Sequence, residues 1–141
     1  MMALDQDHPI EDLEPSDSWA LLAASELGRL AVSVGDVPEI FPINYFVHDR
    51  TVIFKTAQGS KLVHLTINRN VALEADGYDA ETAWSVIVKG TAQTIQDADH
   101  IEAARRLPLP SWIPTVKYLY VQITPHTICG RRFARGPETW Q

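Results

Sequence analysis

The sequence predicts a mainly β domain of the α+β kind: about seven antiparallel strands in a closed or nearly closed barrel, with two or three short helices. Three observations carry that expectation. Apolar and polar residues alternate with a period of two over most of the chain after Gly28, the mark of half-buried strands. The alternating runs lie close together and are joined by tight polar turns such as "GDVP" and "DR", which favours hairpins. A chain of 141 residues is one domain with room for a real core, and closing its strands on themselves removes exposed edges.

Residues 1–15, "MMALDQDHPIEDLEP", are acidic and carry no core of their own, so they read as a flexible arm, mobile or draped on a partner. Ser16 can cap a helix through "DSWALLAASEL": Asp17 sits at its positive end, Trp19, Leu22, Ala23 and Leu27 recur at helical spacing, and Gly28 is its stop. "GRLAVSV" is the first strand. "EIFPINYFVH" is a longer one, with Phe41, Ile43, Tyr45 and Val47 on one face. "DR" then turns the chain back into "TVIFKTA". "SKLVHLTIN" makes one or two helical turns, with Leu62, Leu65 and Ile67 facing inward.

"NVALEADGY" and "AWSVIVKGTAQTIQ" are the fourth and fifth strands, Gly90 marking a bulge or bend in the latter. "DADHIEAARRL" forms a short helix capped by Asp97, with Ile101, Ala104 and Leu107 inward. "PLPSWIP" is a proline-held connection, and "KYLYVQITP" and "HTICGRRF" complete the strands. The structured domain is thus expected over 16–135, with 136–141 as a tail.

Composition excludes several functions. A formal net charge of −6 argues against a general nucleic-acid binder, which needs clustered Lys and Arg for phosphates. No apolar run approaches the ~20 residues of a membrane span, and the acidic N-terminus lacks the apolar core of a signal peptide, so the expected location is the cytoplasm. The single cysteine, Cys129, permits no intramolecular disulfide and reads as a small buried apolar residue. His8, His48, His64, His100 and His126 lack metal-ligand spacing, and "DGYD" (Asp76–Asp79) lacks the ligand count of a calcium site. No metal site and no Ser-His-Asp arrangement is expected.

The most informative stretch is "TAQGSK". Thr56, Ser60 and Lys61 bring two hydroxyls and an ammonium to a strand end, and Gly59 lets the backbone approach closely. A helix starting at Ser60 points free N–H groups the same way, an arrangement suited to a phosphate. The residues alone also fit a plain N-cap at Ser60 followed by a solvated lysine.

The ordered set "GRLAVS…PEIFPINY…IFKTAQGSKL…VALEADGYD…WSVIVKGTA…GRRF", from Ser18 to Phe133, resembles the pyridoxamine 5′-phosphate oxidase-like proteins, and most of all their small actinobacterial-type members. The resemblance implies a six- to seven-stranded antiparallel split β-barrel, an obligate homodimer, and FMN held in each of two grooves between subunits. It places the cofactor phosphate at Thr56, Ser60 and Lys61, with Lys55 nearby. It places the polar edge of the ring against Pro42, Ile43, Asn44 and Tyr45, the wall continuing through Phe54 and Lys55. Trp84 fits either this groove, reached across the dimer, or the barrel core. Arg131 and Arg132 face opposite sides of a strand, and one of them reaches the partner's flavin.

The expected function is a flavin-dependent oxidoreductase that moves hydride or electrons to or from a small organic substrate; no catalytic residue is assigned, because the ring carries that chemistry. A deazaflavin coenzyme is the alternative cofactor. Its longer acidic tail calls for more Lys and Arg than Lys55 and Lys61 provide. A non-catalytic flavin or haem carrier is the alternative from another class, with His64, His126 or Cys129 as candidate axial ligands.

Overall fold

The chain runs Ile10–Leu13 (β1), Pro15–Ala23 (α1), Leu27–Val34 (β2), Val37–Asn44 (β3), Phe46–His48 (β4), Thr51–Ala57 (β5), Lys61–Thr66 (α2), Arg69–Tyr78 (β6), Thr82–Thr94 (β7), Ala98–Arg105 (α3) and Tyr118–Ala134 (β8). This computed structural model describes residues 4–5, 7–67, 69–110 and 118–136. The expected inward Leu65 side chain, the "PLPSWIP" connection beyond Pro110 and the tail beyond Gly136 lie outside the described residues.

Among the described residues, eight strands form one sheet in the order β3-β2-β6-β7-β8-β5-β4, with β1 also paired to β8. Every pairing is antiparallel. The sheet is not closed by hydrogen bonds, since β3 and β4 end the path, but these two strands are consecutive in the chain and only Tyr45 separates them. This is a split-barrel-like fold. The run expected as one strand, "EIFPINYFVH", is therefore two. At Tyr45 the backbone N–H leaves the ladder and donates to Glu26 O at 3.0 Å, while the buried phenol donates to Leu22 O at 2.7 Å.

The period-two reading holds along the strands. In β2, Leu30 and Val32 are buried while Arg29 and Ser33 are exposed, and in β7 Val86 and Val88 are buried while Ile87 and Lys89 are exposed. With Leu22 and Trp19 of α1, Leu73 of β6, Val52 and Phe54 of β5, and Val121 and Ile123 of β8, these residues make one core. Full burial of each such aliphatic side chain contributes ~1.5–3 kcal/mol.

Four expectations are corrected. Part of the supposed arm is a strand: Ile10 to Leu13 pairs with Phe133 to Gly130. Its short alternation was hidden by acidic neighbours. Helix α1 begins at Pro15 with Glu14 in the N-cap position, because proline's fixed φ and missing N–H suit the first helical turn; Ser16 is inside the helix. Leu27 and Gly28 belong to β2. Gly28 permits close strand approach, since a Cβ there would lie 2.8 Å from Glu74 O. The two C-terminal runs are one strand of 17 residues, β8, which pairs with β7 on one side and with β5 and then β1 on the other.

The bend foreseen at Gly90 is a bulge: Lys89 pairs with Thr127 and Gly90 with Pro125, which leaves His126 as the extra residue on β8. A Cβ on Gly90 would lie 2.9 Å from Pro125 Cα, with more backbone of Thr124 as close. Gly90→Ala is therefore expected to cost about 2 kcal/mol or more, whereas Gly136→Ala, with open space around it, is neutral. Thermal melts of the two variants test this pair. Tyr45→Phe removes the phenol's bond to the Leu22 carbonyl, which keeps its 3.3 Å bond from Ser25 N–H, and is expected to cost about 0.5–1.5 kcal/mol by the same measurement.

Candidate functional site

Strand β5 ends at Ala57, and Gly59, at φ +74°, supplies the left-handed residue that turns the chain into α2. The turn closes with Ser60 N–H on Ala57 O at 3.3 Å. Ser60 is the N-cap of α2, its Oγ accepting from Val63 N–H at 3.3 Å, and that same Oγ lies 3.2 Å from Thr56 Oγ1. Two hydroxyls are thus held side by side. Lys61 follows with a side chain 71% exposed, its Nζ 3.9 Å from Glu39 Oε1, a loose surface pair. Helix α2 is only six residues long and Val63 N–H is taken by Ser60, so the donors here are chiefly side chains.

Lys55 does not join this group. It precedes Thr56 on the strand and so faces the other side, where its Nζ sits 4.4 Å from the centroid of the Tyr118 ring.

The expected ring seat divides in the same way. Pro42 and Asn44 turn outward on β3, and Asn44 Nδ2 donates to Glu26 O at 3.3 Å. The side chains of Ile43, Tyr45 and Phe54 are buried in the core, so only main chain at these positions can line a groove. Burial also pushes the Tyr45 phenol above its ordinary pKa. β5 is not the sheet neighbour of β3, contrary to the expected continuous wall; β2 is.

That neighbour brings a cluster the sequence analysis missed. Arg29 stands opposite Pro42 on one side and opposite Glu74 on the other. Its Nη1 lies 3.2 Å from Glu74 Oε2 and 3.0 Å from Asp76 Oδ1. Burial, followed by hydrogen bonding to Asp76, raises the Glu74 pKa. Asp76 is held below the usual range, first by its bond to Glu74 and then by Arg29. The signal was present as "GRL" and "LEAD", each with outward charges at period two, but pairing them required knowing that β2 and β6 are neighbours.

Next to this cluster along the sheet, Trp84 is the ladder partner of Gly77; it packs against the core edge and lies over that glycine, where a Cβ would meet its Nε1 at 2.7 Å. It also lines a cleft of about 480 Å³ with Tyr78, Phe133 and Arg135. Arg135 covers the Tyr78 ring at 4.6 Å and donates to Asp79 O. Arg132 is Trp84's direct partner in the ladder and lies by α1, beside Leu13 and Asp17. Arg131 faces the opposite side and pairs with Asp12 at 3.5 Å. Trp84, Arg131 and Arg132 are therefore not gathered with Thr56, Ser60 and Lys61 within one chain.

Cys129 is exposed on the outward face of β8, not buried as expected, because β8 keeps its alternation beyond the bulge. His64 is exposed, and His126 Nε2 is 2.9 Å from Thr91 Oγ1. No group of three or more metal-ligating side chains occurs among the described residues, nor any helix long and apolar enough to cross a membrane.

With this geometry in view, the chain can be set beside known proteins. It is 30% identical over 138 residues to an uncharacterized protein of Mycobacterium tuberculosis, covering 92% of this chain and 90% of that one. A second uncharacterized protein of the same organism is 41% identical over 92 residues, covering 65% of this chain and 84% of its own length. The structure of the FAD binding protein from Mycobacterium smegmatis matches with a TM-score of 0.83 at 44% identity, over 89% of this chain and 100% of that one. Residues 14–132 match the pyridoxamine 5′-phosphate oxidase family. That span holds β2 to β7 whole, most of β8 and the site residues from Arg29 to Arg132, and the chain belongs to this family.

Proposed function

We propose that this protein is a flavin-dependent oxidoreductase, a homodimer that binds a flavin nucleotide where two copies meet and transfers hydride or electrons to or from a small organic substrate. The observation that carries the reading is the Thr56–Ser60 hydroxyl pair with Lys61 beside it, at a strand end of a chain in this family. Its chemistry fits a phosphate. The mutual contact of the hydroxyls uses one of their two protons, so the other can be donated to a phosphate oxygen, and the Lys61 ammonium adds charge-assisted donors.

A bound flavin would supply the hydride and electron chemistry itself. The chain's own task is to hold it: Thr56, Ser60 and Lys61 at the phosphate, Pro42 and Asn44 along the ring's polar edge. Tyr45 and Phe54 act beneath as rigid floor, packed so that the outward residues keep their spacing. FMN is the form expected from the resemblance. The FAD binding relative at 44% identity supports a dinucleotide as well. Deazaflavin is less well served, since Lys55 is already stacked on Tyr118. The exposed apolar side chains Ile40 (68%) and Ile87 (38%) on the outward face of the sheet support a second copy as partner.

Titration of the purified protein with FMN, FAD and a deazaflavin, followed by visible spectrum, tests the reading; no binding of any of the three overturns it. Sedimentation is expected to give twice the 15.8 kDa chain mass. Lys61→Ala is expected to weaken flavin binding about 10- to 100-fold through loss of a charged hydrogen bond. Its thermal stability without ligand should hold within about 0.5 kcal/mol, the usual range for a surface substitution.

A further inference from the structure

The cluster of Arg29, Glu74 and Asp76 has no part in holding a phosphate, yet it lies on the face where the ring is placed. Arg29 projects outward directly opposite Pro42, one strand in from the β3 edge, and Glu74 projects outward opposite Arg29. Neighbouring strands lie about 4.8 Å apart, so Glu74 is about 10 Å from the Pro42 backbone across the sheet. Both carboxylates share the single Arg29 Nη1, and no second cation reaches either of them among the described residues.

One cation between two carboxylates compensates only one of them fully. Glu74 is the more sheltered, with its side chain 29% exposed against 51% for Asp76. The titratable groups around it are Asp76 on its own strand, Arg29 on β2 and the Tyr45 phenol, while β7 presents the uncharged Ile87 directly opposite. Burial and Asp76 together favour a proton on Glu74, while the bond to Glu74 and then Arg29 keep Asp76 ionised. Neighbouring carboxylates with protonation pushed apart in this way make a proton carrier and a fixed charge.

We propose that Glu74 is a redox-linked proton site: it takes up a proton when the flavin ring beside Pro42 and Asn44 gains two electrons, and gives it back when they leave. The inference rests on the flavin reading above. The electron pair comes from the reductant, dithionite or a reduced nicotinamide nucleotide, and the proton from water. The bond formed on the protein is the Glu74 O–H, and re-oxidation breaks it. The physical cause is like-charge repulsion: negative charge added to the ring raises the proton affinity of a sheltered carboxylate on the same face.

The test is the midpoint potential of the flavin-loaded protein as a function of pH, measured against a reference dye for wild type, Glu74→Gln and Asp76→Asn. Wild type should show a region above the usual carboxylate range where the slope exceeds that of Glu74→Gln by up to one proton per two electrons, about 30 mV per pH unit. In Asp76→Asn, which removes the like charge, that region should move to lower pH. Superimposable slopes for flavin-loaded wild type and Glu74→Gln would overturn the proposal. Should Glu74→Gln lose its cooperative melt, Asp76→Asn decides alone: a steep region that does not move sinks the assignment. Failure of the flavin reading itself would look different, as a wild type that binds no flavin at all, and would remove this inference with it.

Discussion

The structure depends on how the chain turns its corner at Tyr45. The two ends of the hydrogen-bonded sheet, β3 and β4, are successive stretches of one polypeptide, and the residue between them is buried. Its backbone N–H goes to Glu26 O and its phenol to Leu22 O, so both polar groups leave the sheet and tie the corner to the end of α1 and the segment after it. A buried hydroxyl without a partner costs ~1–3 kcal/mol, which makes the helix carbonyl part of the corner's design. On one side of this joint Pro42 and Asn44 face outward. On the other, the chain passes through β4 and β5 to Thr56, Ser60 and Lys61. The proposed ring seat and the proposed phosphate grip thus lie on either side of one buried side chain along the chain.

Opposite that corner, β8 is the spine. It carries β7 along one edge and both β5 and β1 along the other, and it accommodates proline by bulging where Gly90 permits close backbone approach. Helix α1 packs on the same strand. Gly130 leaves room for Ser18, since a Cβ there would sit 3.0 Å from the Ser18 Cβ and closer still to its hydroxyl. That hydroxyl has no hydrogen-bond partner among the described residues, so close helix–strand packing is kept here at the cost of one unsatisfied polar atom. The same packing fixes the carbonyl of Leu22 that Tyr45 needs.

The sequence was most legible where the physics is local. Period-two alternation identified the strands, and side-chain caps identified two helix starts, Ser60 on Val63 N–H and Asp97 on His100 N–H. Gly90 was legible as a bend because glycine within a strand has few other uses. What could not be read was what distant segments do to one another. The strand at Ile10–Leu13 has alternation too short to stand out from its acidic flanks, and it exists because β8 offers it an edge. Ile43, Tyr45 and Phe54 were expected at the site, but their side chains belong to the core. The Arg29 cluster joins residues 45 and 47 positions apart, and only the strand order brings them together.

The distribution of charge bears on how so acidic a chain would receive the anionic ligand proposed for it. Several of its cations already have close partners: Arg29 has two carboxylates, Arg131 has Asp12, Arg135 has the Tyr78 ring and Asp79 O, and Lys55 has Tyr118. Among the described residues Lys61 is held by one carboxylate, at 3.9 Å, and it is mostly exposed, so turning it toward a phosphate sacrifices little. Tightly paired cations do the reverse: they would have to abandon a partner and leave a carboxylate uncompensated. The same reasoning separates the two ends of the proposed ligand. Under the proposal, a weakly held ammonium meets a permanent charge at the phosphate end, whereas at the ring end, where charge comes and goes with electrons, the groups at hand are a compensated guanidinium and the carboxylate proposed to take the proton. A fixed, uncompensated cation there would favour one redox state throughout; a titrating carboxylate lets the local charge follow the ring.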